Sequence, residues 1–407
     1  MKRHIEIRLK EYLDLFPCVA ILGPRQCGKT TLLKSLPKDW QSFDMEKSAD
    51  YQDVARDPDL FLSINKDLIA FDEAQKLPAL FPALRVAIDS DRKRKGRFVL
   101  TGSSSPELVK SISESLAGRI AILELSPFTL SEAYGLPPSR IPDLIRESTP
   151  SEEWPKLVKV RLEPGQVQAF WMQGGYPEPW LEGKDRFRKI WFENYLQTYV
   201  RRDLQGLFPG LNPERYRQFL QILAGVSGSI NNYSEVARTL GVSVPTAREY
   251  FRIADGTFLW RHLPAYERTP HKRIVKHPKG YFRDAGLAHF LLHLNNLRDL
   301  RAHTRMGFSW EAFAAEQLIL ALRNAGLVFD AFHFRTGGGT EIDLVLEGDF
   351  GVLPVEIKYS QTVDQSALKS LKEFAKERSS RLGLVLNNDD RVRVYGDGIV
   401  GVPMGCL

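Results

Sequence analysis

The segment 23–30 has residue types and a spacing that could bind the phosphates of a nucleotide. It reads Gly-Pro-Arg-Gln-Cys-Gly-Lys-Thr and fits the pattern G-x-x-x-x-G-K-[ST] of a P-loop. Backbone N–H groups of such a loop point at phosphate oxygens, and the helix that follows presents its positive end to the same anion. The ammonium of Lys29 can reach the β- and γ-phosphates, and the hydroxyl of Thr30 can ligate Mg²⁺. The predicted nucleotide contacts of this segment are Gly23, Pro24, Arg25, Gln26, Cys27, Gly28, Lys29, Thr30 and Thr31.

An acidic motif follows downstream, at the end of the apolar run 68–71. Asp72 and Glu73 come directly after this run, which is the pattern of a buried strand that ends in two carboxylates. At such a strand end, Asp72 would support the Mg²⁺ of the nucleotide and Glu73 would polarise the attacking water. A strand that leads into an acidic turn is common by itself, but its combination with the loop at 23–30 favours nucleotide hydrolysis.

The apolar run 97–100 is a third candidate strand, and it ends in small hydroxyl residues. In a P-loop fold this strand lies beside the strand that carries the loop, and a polar residue at its tip contacts the γ-phosphate. Thr101 and Ser103 are therefore added to the predicted nucleotide-binding residues. The alternative is a helix cap, because Ser104 and Ser105 precede a proline, which is a favourable helix start.

A second set of candidate catalytic residues lies near the carboxyl end of the chain. Asp343 falls on one predicted strand, and Glu356 and Lys358 fall on the next in the spacing Glu-x-Lys. Alternate residues of a strand share a face, so the three side chains are expected on one side of adjacent strands. Two carboxylates can hold Mg²⁺ or Mn²⁺, and the lysine can orient a water for attack on a phosphodiester. Glu311 or Glu316 of the preceding helix could complete the metal site, whereas solvated charges on a sheet face are the structural alternative.

The elements that must position these residues are predicted by hydrophobic periodicity and by turn residues. From 19 to 125, apolar strands alternate with helical stretches, which predicts an α/β fold with a parallel sheet and helices on both faces. Residues 137–165 are rich in Pro, Glu and Ser and suggest a surface excursion or lid element. Residues 186–205 predict a strong helix. A helix followed by several strands in 307–407 predicts a second α/β unit.

Residues 213–262 follow the helix-turn-helix pattern, in which a short helix, a glycine turn and a capped helix succeed one another. An extended basic segment, 258–283, follows as a wing. One interpretation is DNA binding through the last helix, with Thr246, Arg248 and Arg252 exposed. The other is a module that serves packing or subunit contact, because the helix carries few side chains that read bases.

Composition places the chain among globular proteins of more than one domain. It has 407 residues, of which 43% are hydrophobic and 26% charged, and these are ordinary values. The three cysteines are too few and too scattered for a disulfide framework or a zinc site. No signal-peptide core or membrane span is evident, so we expect a cytoplasmic protein. The net charge of +6 is a weak signal, whereas the basic clusters 92–97 and 261–283 could be solvated loops or a nucleic-acid footprint.

Taken together, these motifs resemble one family over essentially the whole chain. It comprises the predicted AAA-type P-loop ATPases of prokaryotes that carry a C-terminal domain of unknown function. The segments that carry the resemblance are 23–30, 71–75, 100–104, 116–119, 174–177, 199–204, 281–287 and 341–343. The resemblance implies an ATPase core with a helical lid, a winged-helix module and a restriction-endonuclease-like domain. The corresponding ranges are 1–130, 131–210, 211–292 and 300–407.

The resemblance also implies ATP and Mg²⁺ as cofactors, and the carboxylates of the C-terminal set could hold a second Mg²⁺ or Mn²⁺. In related ATPases an arginine of the lid or of a neighbouring subunit completes the site. Arg119 matches the family motif and is the first candidate, with Arg201 and Arg202 as further ones, and a structural ion pair is the alternative for each. The helix glutamate of the nuclease-like motif corresponds best to Glu311.

Three functional hypotheses follow from the sequence. The first is an ATPase that hydrolyses ATP and thereby moves or gates a C-terminal half that faces nucleic acid. The second is an ATP-controlled nuclease that cuts DNA at the Asp343 set. The third is a nucleotide-gated switch that binds DNA or a protein partner, or associates with itself, through an inactive nuclease-like domain. No membrane partner is expected.

Overall fold

The computed structural model describes residues 1–103, 112, 114–267, 277–336, 340–361, 363 and 365–407. Its fourteen strands form three sheets. Their bounds are β1 Cys18–Gly23, β2 Trp40–Asp44, β3 Leu68–Asp72, β4 Phe98–Ser103, β5 Ile120–Glu124, β6 Ser229–Ile230, β7 Trp260–Leu263, β8 Lys279–Phe282, β9 Phe329–Arg335, β10 Glu341–Gly348, β11 Gly351–Ile357, β12 Gly383–Asn387, β13 Arg393–Val394 and β14 Ile399–Pro403.

Helices connect these strands and form most of the segment between β5 and β7. The α-helices are Glu6–Leu15, Lys29–Leu33, Ser48–Ala55, Pro58–Ile64, Leu80–Ser90, Leu130–Ala133, Ile141–Arg146, Trp154–Leu157, Pro164–Gln173, Pro177–Glu182, Asp185–Thr198, Gln205–Leu207, Pro213–Val226, Tyr233–Leu240, Val244–Gly256, Ala285–Leu291, Leu297–Ala302, Met306–Asn324 and Gln365–Glu377. The 3₁₀ turns are Ala74–Lys76, Ser151–Glu153 and Met404–Cys406, and Tyr199–Leu204 is a π-helical turn.

The first sheet has the order β2-β3-β4-β1-β5, and all of its strands are parallel. Every residue of β1 is buried, as expected for the central region of a parallel sheet that helices cover on both faces. The predicted α/β fold with a parallel amino-terminal sheet is thus confirmed. Because all strands run in one direction, the residues that follow β1, β3 and β4 meet at one edge of the sheet.

The segment 137–165 is not a surface excursion, and that prediction is wrong. Ile141, Leu144 and Trp154 are at most 1% exposed. They share one hydrophobic core with the Met306–Asn324 helix and with strands of the last sheet. Arg161 strengthens this contact by donating to the carbonyl of Leu407 at 2.6 Å. The Pro and Glu residues of the segment occupy turns and helix starts. Its overall composition is therefore polar although one face of the segment is apolar and buried.

The middle of the chain places three helices against a small antiparallel sheet. The helices are Pro213–Val226, Tyr233–Leu240 and Val244–Gly256, and the sheet has the order β6-β8-β7. Aromatic residues form the core between them, including Tyr216, Phe219 and Trp260. The hydroxyl of Ser243 caps the third helix by accepting from the N–H of Thr246. The predicted sequence of helix, glycine turn and capped helix is therefore present.

The last sheet is mixed and has the order β13-β14-β12-β11-β10-β9. Antiparallel pairing joins β9, β10 and β11, and parallel pairing joins β11, β12 and β14. The register of β10 against β9 shifts between Ile342 and Val345, and such an irregularity re-aims the side chains beside it. Asp343 lies within this irregular stretch.

A junction built on Asp284 joins the amino-terminal sheet to the middle of the chain. Asp284 accepts hydrogen bonds from the N–H groups of Gly175 at 2.7 Å and Leu287 at 2.8 Å. Gly174 has a φ of 77° and lies so close that a Cβ there would come within 2.4 Å of the Asp284 carboxylate. The carbonyl of Gly175 also accepts from the N–H of Phe128, just beyond β5, at 2.7 Å. Two segments of the family resemblance, 174–177 and 281–287, therefore meet here.

Candidate functional sites

The predicted P-loop and the acidic motif line one open cavity of about 700 Å³ at the carboxyl edge of the first sheet. The loop follows β1, and the acidic residues follow β3, which is two positions away in the same sheet. The predicted residues that line the cavity are Arg25, Gln26, Gly28, Lys29, Thr30, Thr31, Asp72 and Glu73. A cavity of this size is in the range of small-molecule sites.

Backbone contacts hold the loop in shape around Lys29. The Lys29 ammonium donates to the carbonyls of Pro24 at 2.9 Å and Gly23 at 3.2 Å, and the residue is only 5% exposed. Gly23 packs against the chain beyond β5, where a Cβ would come within 2.1 Å of the Leu125 carbonyl. Cys27 is fully buried, and burial raises the pKa of its thiol. Cys27 thus packs the base of the loop, while Thr30 remains exposed at its end.

Arg3 supports the loop from behind, and sequence reasoning missed it. Its guanidinium donates to the carbonyls of Cys27 at 2.9 Å and Ser126 at 2.7 Å, and it lies 3.2 Å from Glu132. The residue is buried, with 6% exposure. The sequence carried no signal for it, because an arginine in the first residues of a chain is ordinarily solvated.

Asp72, Glu73 and Thr101 form a hydrogen-bonded group at the ends of β3 and β4. The Thr101 hydroxyl donates to Asp72 and accepts from the N–H of Glu73. Glu73 has a φ of 52°, an uncommon conformation that turns the chain sharply after β3. Its carboxylate accepts from the side-chain amide of Gln75. Thr101 therefore contacts the carboxylate of Asp72 and the backbone of Glu73. The Ser103 side chain lies outside the described residues.

The opposite wall of the cavity comes from the helical segment after the glycine pair. The residues that line it are Pro177 and Leu181 of the helix Pro177–Glu182 and Phe187 of the helix Asp185–Thr198. None of these residues was predicted as part of the site. The sequence did contain the family motif at 174–177, directly before this segment. The motif alone did not indicate that the segment lines the cavity.

Arg119 does not reach this cavity within one chain. It immediately precedes β5, whose first residue pairs with the first residue of β1, so it lies at the edge of the sheet opposite the P-loop. There it forms a bidentate pair with Asp89, with both N–O distances at 2.8 Å, and the hydrogen bond from Arg119 lowers the pKa of Asp89. Arg201 pairs with Glu214 at 2.8 Å, and the side chain of Arg202 lies outside the described residues.

The C-terminal candidates do converge. The register that pairs Leu344 with Val355 places Asp343 opposite Glu356. The Asp343 carboxylate accepts from the N–H of Ile357 at 2.8 Å. The Lys358 ammonium lies 2.5 Å from Glu356. The alternation of side chains predicted this arrangement.

Glu311 is the helix acid that faces this group. Burial first, and the neighbouring Asp343 second, raise the pKa of Glu311, and the same two causes raise the pKa of Glu356. Burial also raises the pKa of Asp343. Each shift reflects carboxylates held together away from water. We call Glu311, Asp343 and Glu356 the C-terminal carboxylate cluster.

A lysine from the middle of the chain enters this cluster. Lys279, the first residue of β8, is 2% exposed. Its ammonium lies 2.5 Å from Glu311 and 3.5 Å from Glu341. In the part of the chain that the structure describes, no group of three His, Cys, Asp or Glu is arranged to hold a metal ion. The predicted metal ligands Glu311, Asp343 and Glu356 are thus close neighbours but not a ready three-ligand site.

The other helix acid, Glu316, belongs to a separate buried ion-pair network. It binds Arg261, with N–O distances of 2.5 and 2.8 Å, and Arg283 at 2.8 Å. Arg283 also contacts Glu124, at the end of β5, and Arg323 lies 3.2 Å from Glu124. Burial opposes ionisation, but the arginines outweigh it and lower the pKa of Glu316 to about 2. Glu316 is therefore unavailable to the carboxylate cluster.

This network includes or adjoins three of the basic residues in the segment 261–283, for which a nucleic-acid footprint was one interpretation. Arg261 and Lys279 are buried, the side chain of Arg283 is 8% exposed, and all three are paired with carboxylates, so they present no basic surface. Sequence counts positive residues but does not show which are neutralised by distant acids. The remaining basic residues of the segment, Arg268, Lys272, Arg273 and Lys276, lie outside the described residues.

The other predicted basic surfaces are partly exposed. Arg248 and Arg252 are exposed on the Val244–Gly256 helix, and Arg252 pairs with Glu249 at 2.7 Å. Thr246, predicted to be exposed, is half-buried because its hydroxyl lies 2.8 Å from that of Ser243 at the helix cap. In the cluster 92–97, Arg97 is buried and donates to backbone carbonyls.

Comparisons with known proteins agree with this organisation. Family models match residues 16–134 as an AAA domain, residues 165–298 as a domain of unknown function (DUF8612) and residues 306–407 as a domain of unknown function (DUF4143). The AAA match confirms the predicted AAA-type P-loop ATPase at the amino end. Over the residues it describes, the structure contains no helix with the length and apolar composition needed to cross a bilayer.

Among solved structures, the Walker-type ATPase PABY2304 of Pyrococcus abyssi is similar at 16% identity, with a TM-score of 0.43, covering 72% of this chain and 95% of that one. A RuvB variant of Thermotoga maritima is similar at 19% identity, with a TM-score of 0.31, covering 69% and 92%. The uncharacterized proteins Mb2031c of Mycobacterium bovis and Rv2008c of Mycobacterium tuberculosis are each 32% identical over 406 residues, covering 99% of this chain and 83% of the relative. The chain therefore belongs to the family of these mycobacterial proteins, with an AAA-type P-loop ATPase domain at its amino end and DUF4143 at its carboxyl end.

Proposed function

We propose that the chain binds ATP with Mg²⁺ in the cavity at 23–30, hydrolyses it there, and uses the nucleotide state to control the C-terminal unit. The observation that carries this proposal is that the P-loop and the pair Asp72 and Glu73 line one cavity. The residues fit the ligands, since the loop is tightly packed at Gly23, and hydroxyl and carboxylate oxygens suited to Mg²⁺ come from Thr30 and Asp72.

Each residue at the edge of the sheet then has a defined task. Mg²⁺, when bound, would neutralise charge on the phosphate oxygens. Lys29 places its ammonium on the β- and γ-phosphates in exchange for the carbonyls of Gly23 and Pro24. Glu73 accepts a proton from the attacking water, and Thr101 orients Asp72 and Glu73 through its hydroxyl. The apolar side chains of Leu181 and Phe187 provide the wall for the base.

Substituting Glu73 with glutamine tests the hydrolysis step. Glutamine keeps the shape and a hydrogen bond to Gln75 but accepts no proton, so kcat should fall about 100-fold while ATP binding is retained. Phosphate release and nucleotide affinity, measured on the same preparations, separate the two effects. Glu46→Gln is the matched control, because Glu46 lines the same cavity and has no assigned catalytic task. A Glu73→Gln protein that hydrolyses ATP at the wild-type rate contradicts the assignment.

Control of the C-terminal unit would pass through the buried network. Glu124 ends β5, which pairs with β1 directly before the P-loop. It contacts Arg283, which contacts Glu316 of the Met306–Asn324 helix. A change at the nucleotide site that moves the end of β5 would therefore displace the segment after β8 and the C-terminal helix. The ranges 1–130, 131–210, 211–292 and 300–407 remain our proposed core, lid, winged-helix and nuclease-like units.

DNA is the partner that we propose for the middle unit. The chain order here is a helix, the short strand β6, two further helices and then the strands β7 and β8, and this is the order of a winged helix. Arg248 and Arg252 supply positive charge on its third helix. Binding through phosphate contacts would weaken steeply as salt rises, whereas a protein partner would show less dependence.

The second candidate function is metal-dependent cleavage of DNA by the C-terminal carboxylate cluster. One oxygen of Glu356, Oε2, is buried without a hydrogen-bond partner among the described residues, and such an atom suits a metal ion or a water held by one. Lys358 lies beside the same carboxylate and would orient the attacking water. The mixed sheet that carries these residues is the basis for proposing a nuclease-like fold.

Substituting Asp343 with alanine tests this candidate. Assayed with Mn²⁺ or Mg²⁺, both with and without ATP, wild type should nick or linearise plasmid DNA in at least one condition, and the variant should lose at least about 100-fold of that rate. Asp330→Ala is the matched control, because Asp330 is exposed on the neighbouring strand β9. ATP-dependent DNA binding that survives Asp343→Ala, with no cleavage by any variant, would instead favour a nucleotide-gated binding switch.

A further inference from the structure

Lys279 is the most unusual charged residue of the C-terminal unit, because it comes from a different part of the chain. It begins β8, within the segment matched by DUF8612, whereas Glu311 and Glu341 lie within DUF4143. Its side chain is only 3% exposed and its ammonium lies 2.5 Å from Glu311 and 3.5 Å from Glu341. Lysine is rarely buried to this extent without a specific partner.

The negative charges around Lys279 could bind a divalent cation in place of its ammonium. Glu311, Asp343 and Glu356 are three carboxylates that share the ammonium groups of Lys279 and Lys358. Without Lys279, these carboxylates and the neighbouring Glu341 would be left with the Lys358 ammonium, and a divalent cation could supply the missing positive charge. Ammonium and divalent cation would thus compete for the same oxygens.

An unpartnered atom supports the same conclusion independently. Glu356 is 7% exposed, and its Oε2 has no hydrogen-bond partner among the described residues. Asp343 lies opposite it in the strand register. The described residues form no ready three-ligand metal site.

We propose that the Lys279 ammonium occupies the cation position of the C-terminal carboxylate cluster, and that the cluster binds Mg²⁺ or Mn²⁺ only when Lys279 withdraws. This inference rests on the second candidate function above. Lys279 lies four residues before Arg283, which joins the network at the end of β5. Displacement of the Lys279 side chain from the cluster is therefore the step by which the nucleotide site would open it.

Mn²⁺ binding to the full chain tests the proposal without relying on cleavage. Electron paramagnetic resonance of free Mn²⁺ measures its binding to four proteins. These are wild type, Lys279→Gln, Lys279→Arg and the double variant that combines Lys279→Gln with Asp343→Asn. Glutamine is neutral and still donates to Glu311, so the fold is kept. Lys279→Gln should bind one Mn²⁺ per chain at least about tenfold more tightly than wild type. Lys279→Arg should behave as wild type, and adding Asp343→Asn should remove the gain.

Thermal denaturation supplies a second readout. Mn²⁺ should raise the melting midpoint of Lys279→Gln by at least about 2 °C and leave that of wild type unchanged. Equal Mn²⁺ binding and equal midpoint shifts in wild type and Lys279→Gln would overturn the proposal. Plasmid cleavage measured in parallel keeps the two ideas separate, since Mn²⁺ gained by Lys279→Gln without cleavage contradicts only the nuclease candidate.

Discussion

Replacing Lys29 with alanine is expected to lower kcat/KM for ATP by about 1,000-fold. The P-loop holds this ammonium over its own carbonyls, at 2.9 Å from Pro24 and 3.2 Å from Gly23. It is 5% exposed, so its field acts on the phosphates with little screening by water. Loss of a preorganised charge of this kind removes stabilisation that develops mainly in the transition state.

The measurement is phosphate release from ATP with Mg²⁺, together with ATP affinity. Lys34→Ala is the matched control, because Lys34 caps the same short helix and is exposed. We expect the control to keep the wild-type rate and both variants to keep the wild-type melting midpoint within about 2 °C. Equal rates of phosphate release by Lys29→Ala and wild type would reject the proposed ATPase.

The P-loop could be predicted because its chemistry lies in one continuous segment. Gly23, Lys29 and Thr30 are held by local turns and by a helix that starts within the motif. The opposed positions of Asp343 and Glu356 could also be predicted, since two-residue alternation decides the face on which a side chain lies. In both cases the deciding interactions are between neighbouring residues or neighbouring strands.

The position of Arg119 at the edge of the sheet could have been predicted from the sequence. It directly precedes an apolar strand, and in a parallel sheet the residues before strands lie at the edge opposite those that follow them. The pairing of Ile120 with Cys18 confirms that geometry. A role for Arg119 in ATP hydrolysis would therefore have to be fulfilled in a neighbouring subunit.

Lys279 and Arg261 illustrate information that one sequence does not hold. Each is a basic residue in a basic segment, and each is neutralised by a glutamate that lies more than thirty residues away along the chain. Such pairing depends on how distant segments of the chain pack together, which local periodicity does not encode. The same reason explains the segment 137–165, whose apolar face became evident only against the C-terminal core.

Replacing Glu316 with glutamine is expected to destabilise the chain by about 3 kcal/mol, because it leaves Arg261 and Arg283 without their buried carboxylate. Both arginines lie within 2.8 Å of Glu316, which is 2% exposed. For a chain of 407 residues, a loss of this size should lower the melting midpoint by about 3–4 °C. Glu249→Gln is the matched control, since Glu249 pairs with Arg252 at the surface and should shift the midpoint by less than about 2 °C.

The pH dependence of stability gives the same residue a second, independent test. Arg261 and Arg283 overcome burial and lower the pKa of Glu316 from its usual 4.5 to about 2 in the folded chain. A lowered folded-state pKa contributes stability above pH 4.5 that is lost as the pH falls towards 2. The wild-type midpoint should therefore fall more steeply than that of Glu316→Gln between about pH 5 and pH 3. Parallel pH profiles for the two proteins would show that the network does not depend on ionised Glu316. That result would contradict the proposed route from β5 to the C-terminal helix, because the route passes through this residue.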